Sequence, residues 1–112
     1  MKMSFQDYDF ITVLTLSGEY TIDDTDQFAR AVRERRKSGI RDVLIDCEHL
    51  EFIDSAGLES WIRLQEELGM EGGQFRLVNP EDTVKKILEL TRLDLAFEAH
   101  AEVELAVKSL RR

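Results

Sequence analysis

Three consecutive apolar residues, Val43-Leu44-Ile45, stand between polar neighbours in a run too short to be a helix. Successive side chains of a strand point to opposite faces of its sheet, so an uninterrupted apolar run reads as a strand covered on both sides. Such a strand calls for packing layers above and below it, and the rest of the chain offers candidates for each. Ile11 to Leu16 alternates β-branched and apolar residues and stops at Ser17-Gly18, as a second strand would. Phe5 to Tyr8 is placed to pair with it across a turn at Asp9. Phe75-Arg76-Leu77-Val78 reads as a further strand and Leu95-Ala96-Phe97 as a short one.

Helical spacing occupies the intervals. Asp23-Asp24-Thr25 offers N-cap residues for a helix carrying Phe28, Ala29 and Val32, closed by Ser38-Gly39. A loop follows Ile45, and Ser55 to Leu68 then places Leu58, Trp61, Ile62, Gln65 and Leu68 at helical period, ending at Gly69, Gly72 and Gly73. Asn79-Pro80 breaks the chain before a third helix near Asp82-Thr83 with Val84, Ile87 and Leu88. Val103, Ala106, Val107 and Leu110 stand at i, i+3, i+4 and i+7 of a fourth. The alternation predicts an α/β fold, a mixed sheet flanked by about four helices, over a single domain spanning residues 1–112. Val13, Leu44, Ile45, Ile62, Leu77, Val78, Ile87 and Val107 are the expected core.

Composition narrows the function. With 15 Lys and Arg against 23 Asp and Glu, the formal net charge is −8. Phosphate neutralisation needs cations, so nucleic acid is an unsuitable partner and an anionic membrane surface is disfavoured. No apolar run approaches the roughly 18 residues of a spanning helix, and Met1-Lys2-Met3-Ser4 leads into no signal-peptide core, so direct membrane insertion is not expected. A lone cysteine, Cys47, excludes an intramolecular disulfide. These features predict a soluble, cytoplasmic protein.

The chemistry-bearing segment runs from Val43 to Leu58, where a buried strand leads through the loop to Asp54-Ser55 at a helix start. A hydroxyl there lies among the unpaired N–H groups of the first turn, where the dipole favours negative charge, so a phosphate on Ser55 would be accommodated. Gly57 would let a partner approach closely. On local physics alone, the favoured reading is that Asp54 or Ser55 is a plain N-cap, worth about 1 kcal/mol. Glu48, Glu51 and Asp54 gather near His49, and a hydrolase would use Ser55 as nucleophile with His49 or His100 as base. The Gly-x-Ser-x-Gly elbow is missing, which speaks against it. Cys47 and His49 lack a second ligand pair for a metal, and a core cysteine is the simpler reading. Arg30, Arg33, Arg35, Arg36 and Lys37, interleaved with Glu34, read as a solvated helix face. Trp61 reads as a core residue, and Gly72-Gly73 precedes a strand, so it is a turn and not a phosphate loop.

Asp54-Ser55-Ala56-Gly57-Leu58 resembles the Asp-Ser-x-Gly-Leu motif of STAS domains, in particular the stand-alone bacterial anti-sigma-factor antagonists. Leu16-Ser17-Gly18-Glu19, the Gly72 to Val78 turn and strand, and Asn79-Pro80 before Val84 to Thr91 fall in the order of that family's pattern. The resemblance implies a serine phospho-switch. The unphosphorylated antagonist binds an anti-sigma factor serine kinase and frees the sigma factor, phosphorylation at Ser55 releases it, and a PP2C-like phosphatase resets it. It also implies no enzymatic activity, no cofactor and no metal, and a partner surface shaped by Asp54, Ala56, Gly57 and Leu58 with Thr21 and Asp23. Two departures stand out. Gly18-Glu19-Tyr20-Thr21 replaces a common Gly-Glu-Leu-Asp, and Ala56 stands where many members carry a second hydroxyl, leaving Ser55 alone in the motif. A constitutive STAS adaptor, such as a subunit of a membrane lipid-transport complex, is the alternative the family allows.

Overall fold

A computed structural model describes residues 1–111. Its elements in chain order are β1 (Lys2–Tyr8), β2 (Ile11–Tyr20), a 3₁₀ turn (Ile22–Asp24), α1 (Thr25–Lys37), β3 (Asp42–Ile53), α2 (Ser55–Met70), β4 (Phe75–Val78), α3 (Asp82–Leu90), β5 (Glu98–His100) and α4 (Val103–Leu110). The five strands form one sheet in the order β1-β2-β3-β4-β5. β1 runs antiparallel to β2 and the other pairs are parallel, so the expected mixed sheet with four helices is the architecture found.

The central strand is covered as its composition requires. Val43, Leu44 and Ile45 are all fully buried. Val43 and Ile45 face a core filled by Phe28 and Val32 of α1, Leu58, Trp61, Leu64 and Leu68 of α2, and Val84 and Leu88 of α3. Leu44 faces the other side, where Ala106, Val107 and Leu110 of α4 pack on Ile11, Val13 and Val78. Three helices thus cover one face and one short helix the other. Of the expected core, Ile62 and Ile87 prove only half-buried, lying at its margin. Asp42, buried at the start of β3, ties the layers together. Its carboxylate accepts hydrogen bonds from the Gln74 N–H (2.9 Å) and from Arg41 Nε (3.0 Å) and Nη2 (2.6 Å). Arg41 Nη2 also donates to the Leu110 carbonyl at the end of α4 (3.3 Å).

Two expectations need correction. The segment after Ile45 is no loop: β3 continues to Ile53, alongside a β2 that passes Ser17-Gly18 and ends at Tyr20. Register slips between Thr15 and Ser17, and again between Gly18 and Glu19, each insert one extra residue into β3. Cys47, Leu50 and Ile53 are therefore buried at intervals of three, a spacing that hides the usual period of two. Gly18 accommodates the irregularity with φ of 85°. The last strand is Glu98–His100, not Leu95 to Phe97. Its residues are selected by ladder pairing to Arg76, Leu77 and Val78, whereas Phe97 plugs the core from the preceding turn and Leu95 is 94% exposed.

Candidate functional site

The extension of β2 and β3 delivers the chain to the start of α2, where the chemistry-bearing residues meet. Asp54 is the N-cap. Its backbone is extended (φ −90°, ψ 179°), and its Oδ1 accepts from the Gly57 N–H at 2.8 Å. Its Oδ2 accepts from the Ile22 N–H at 3.0 Å, tying the 3₁₀ turn to the helix start. The Asp54 N–H donates to the Tyr20 carbonyl at 3.1 Å, so this residue is fastened to the end of β2 and to the turn after it. Capping is thus performed by Asp54, and Ser55 occupies the first helical position. Ser55 is exposed, and its hydroxyl makes no hydrogen bond among the described residues.

Gly57 is buried where the chain packs on itself. A Cβ there would stand 2.7 Å from Ile53 Cγ1 and 3.3 Å from the Tyr20 carbonyl oxygen, so the protein's own strand ends approach this position closely. Leu58 points into the core and is 4% exposed. Ala56 is half-buried beside Ser55. Thr21 caps the 3₁₀ turn: its Oγ1 accepts from the Asp23 N–H (3.4 Å), while its own N–H donates to Asp24 Oδ2 (3.0 Å) in a capping box. Asp23 is exposed on the same turn. Of the sequence candidates, Ser55, Ala56, Asp54, Thr21 and Asp23 gather at this end of the sheet, and Gly57 and Leu58 hold it from beneath.

Three further residues belong to the site. Tyr20 is fully buried, 5.3 Å from Phe28 and 6.0 Å from Trp61 between ring centroids, and its hydroxyl lies 2.6 Å from Ser60 Oγ. Ser60 Oγ donates its only proton to the Gly57 carbonyl (2.6 Å), so the Tyr20 hydroxyl is the donor in the other bond. Burial pushes the Tyr20 phenol's pKa upward and keeps it neutral. Ile22, 66% exposed, stands next to this assembly as its apolar element. Nothing in the spacing of the sequence announces the Tyr20–Ser60 bond, which joins residues 40 apart.

The residues of the rival readings lie elsewhere on the sheet and in the core. His49 lies on β3, four residues before Ile53 and on the order of 13 Å along the strand, with Glu48 at 3.9 Å. His100 lies on β5, opposite Val78 and 3.4 Å from Arg76. Neither hydrogen-bonds Ser55. No group of three or more metal-ligating side chains occurs among the described residues. Cys47 is fully buried, and its thiol pKa is raised by that burial, as a core cysteine's would be. Trp61 is likewise core, edge-on to Phe97 at 6.0 Å. No helix among the described residues is long and apolar enough to cross a membrane.

Comparison with known proteins fits this arrangement. The STAS domain family model matches residues 2–107. A Thermotoga maritima protein named as a candidate anti-sigma factor antagonist is 27% identical over 105 residues, 93% of either chain. A crystal structure of a Thermotoga maritima protein of the same description superposes with a TM-score of 0.88 at 24% identity, covering 98% of this chain and 95% of that one. The anti-sigma factor antagonist SpoIIAA in its unphosphorylated form gives a TM-score of 0.81 at 21% identity, over 99% of this chain and 100% of that one. The Bacillus cell fate determinant SpoIIAA in its phosphorylated form gives 0.77 at 21% identity, over 98% and 100%. At these identities the superpositions speak for the fold.

Proposed function

Since the chain belongs to the STAS-domain family, we propose that it is a non-enzymatic, cytoplasmic anti-sigma factor antagonist, its domain spanning residues 1–112 and switched by phosphorylation of Ser55. One observation carries the reading: Ser55 is exposed and its hydroxyl makes no hydrogen bond among the described residues, while Asp54 does the capping. A phosphoryl group can then be added without removing any bond the fold uses. The first-turn N–H groups of Ser55 and Ala56 remain outside the Asp54 cap and the helix dipole favours the added charge. The unphosphorylated protein binds an anti-sigma serine kinase through the surface around Ser55, Ala56, Thr21 and Asp23, held by Asp54, Gly57 and Leu58. Phosphorylation adds about −1.5 to −2 charge beside the Asp54 carboxylate, one helical turn from Glu59. A partner covering that surface must desolvate the charge. A thousandfold loss of affinity corresponds to about 4 kcal/mol, within reach of one misplaced charge at an interface. A PP2C-like phosphatase restores the binding form.

Incubation with ATP and each serine kinase of this type from the host, followed by mass spectrometry, tests the assignment: the phosphate is expected on Ser55 and absent in Ser55→Ala. Calorimetry then separates the steps. Ser55→Ala binds the kinase as tightly as wild type and is not released by ATP, whereas Ser55→Asp stays folded and binds at least tenfold more weakly. A Ser55 left unmodified by every such kinase overturns the switch and favours a constitutive STAS adaptor.

A further inference from the structure

The sheet has two open edges, and they differ. β5 is three residues long and its Glu98 is held by Arg76 (2.7 Å), features that blunt an edge. β1 is seven residues long, carries no proline and runs beside β2 in unbroken register from Lys2 to Tyr8. A regular edge of this length presents a row of unpaired N–H and C=O groups to another strand. We propose that β1 pairs antiparallel with β1 of a second copy, about a two-fold axis at Phe5, so that the two sheets become one.

Backbone phase decides which groups are free. Tyr8 and Ile11 flank a two-residue turn with φ of 56° at Asp9. The Phe10 carbonyl accepts from the Asp42 N–H of β3 (3.0 Å), so Ile11 turns its own backbone groups the other way, onto Tyr8. Gln6, Ser4 and Lys2 follow in the same phase, and Met3, Phe5 and Asp7 direct their N–H and C=O groups outward, where none meets a partner among the described residues. A two-fold axis perpendicular to the sheet keeps each face beside the same face of the second copy, so only residues of equal parity stand opposite. Centred on Phe5, the pairing sets Phe5 against Phe5 and Met3 against Asp7, and every outward group gains a bond. Ser4 then meets Gln6 and Lys2 meets Tyr8, so no like charges face each other. Centring on Ser4 or Gln6 would leave Asp7 or Met3 with no opposite residue inside the strand.

The side chains suit this arrangement. Phe5, in the middle of the edge, is 53% exposed, with the Arg35 guanidinium 4.0 Å from its ring centroid. Asp7, the only acid of the strand, is drawn back to Arg35 (3.2 Å), so the edge is close to neutral although the chain carries −8. An unrelated segment would need a matching sequence, whereas a second copy supplies the match by symmetry. Phe5 stands opposite Leu14, six residues before Tyr20 and about 20 Å along β2 from the start of the Ser55 site, which the pairing leaves open.

Sedimentation equilibrium of the full chain, in about 0.3 M salt to screen the −8 on each copy, tests the pairing. A monomer–dimer equilibrium is expected below about 0.5 mM protein. Phe5→Lys sets two cations face to face and should weaken it at least about tenfold, while Leu95→Lys, on a residue 94% exposed, should leave it unchanged. Oxidation of Phe5→Cys reads the register, because opposite residues of a hydrogen-bonded pair have Cα atoms about 5.5 Å apart, within reach of a disulfide. It should cross-link at least about tenfold faster than Phe10→Cys in the exposed turn, and buried Cys47 does not compete. Circular dichroism checks that each variant is folded. A wild type that stays monomeric, which would leave the edge to some other strand, overturns the pairing. So do equal losses in Phe5→Lys and Leu95→Lys, a dimer that survives Phe5→Lys, or equal cross-linking of the two cysteine variants. Ser55→Ala and Ser55→Asp should dimerise as wild type does, so failure of Ser55 to accept phosphate would leave the pairing standing.

Discussion

At the scale of single residues, the start of α2 divides two tasks between neighbours. Asp54 uses both carboxylate oxygens on backbone donors, Gly57 and Ile22, while Ser55 uses its hydroxyl on nothing within the described chain. Removing a cap of this kind costs about 0.5–2 kcal/mol. Because Asp54 also holds the 3₁₀ turn, Asp54→Ala should fall at the upper end of that range in chemical denaturation, whereas Ser55→Ala should stay within about 0.5 kcal/mol, as exposed substitutions do. A larger loss for Ser55→Ala would move the cap to the serine. Tyr20 gives a prediction in pH. In the unfolded chain its phenol ionises near the ordinary value of about 10, but burial raises its pKa in the folded state. Above that pH the native protein therefore holds a proton that the unfolded chain has released. This group's contribution is intact below about pH 10 and declines as pH rises beyond it. Tyr20→Phe should flatten the fall in stability between about pH 10 and 11. A slope identical to wild type would show that the phenol is not protected.

At the scale of elements, β3 organises everything else. Leu44 is fully buried against α4, so Leu44→Ala should cost about 2–5 kcal/mol, while half-buried Ile62→Ala should cost about 1 kcal/mol. Urea unfolding of the pair checks the contrast, and equal losses would mean that Leu44 is not central. The sequence made the first part of this strand plain, because Val43, Leu44 and Ile45 carry the unbroken apolar run that a doubly covered strand requires. It concealed the second part, because the two inserted residues bury Cys47, Leu50 and Ile53 at a period belonging to neither strand nor helix. β5 was hidden for another reason: Glu98, Ala99 and His100 pair along a sheet edge, where ladder bonds and not apolar packing define the strand. The helices were legible because a 3.6-residue period survives as long as one face is buried. At the site, the Asp-Ser start of α2 was readable from cap chemistry. The assignment of capping to Asp54, and the bond from Tyr20 to Ser60, depend on how distant strand ends converge.

At the scale of the whole molecule, Asp42 joins elements that are remote in sequence. Its carboxylate receives the Gln74 N–H ahead of β4, and its partner Arg41 reaches the last carbonyl of α4. Removing the buried carboxylate leaves the Gln74 N–H without its acceptor and frees half-exposed Arg41, so Asp42→Ala should cost about 1–3 kcal/mol and should loosen α4. Amide hydrogen exchange in that helix reads out the second effect. Unchanged protection of α4 would confine Asp42 to the strand starts. The division of labour between Asp54 and Ser55 has a consequence for descent. A residue that both capped the helix and received the signal could not be altered without endangering the fold. On the switch proposed above, the signal would sit on a position the fold does not need, and a lineage would be free to retune it by small steps. Under that proposal, threonine, alanine or a permanent acid at position 55 would each leave the fold intact and alter the message alone.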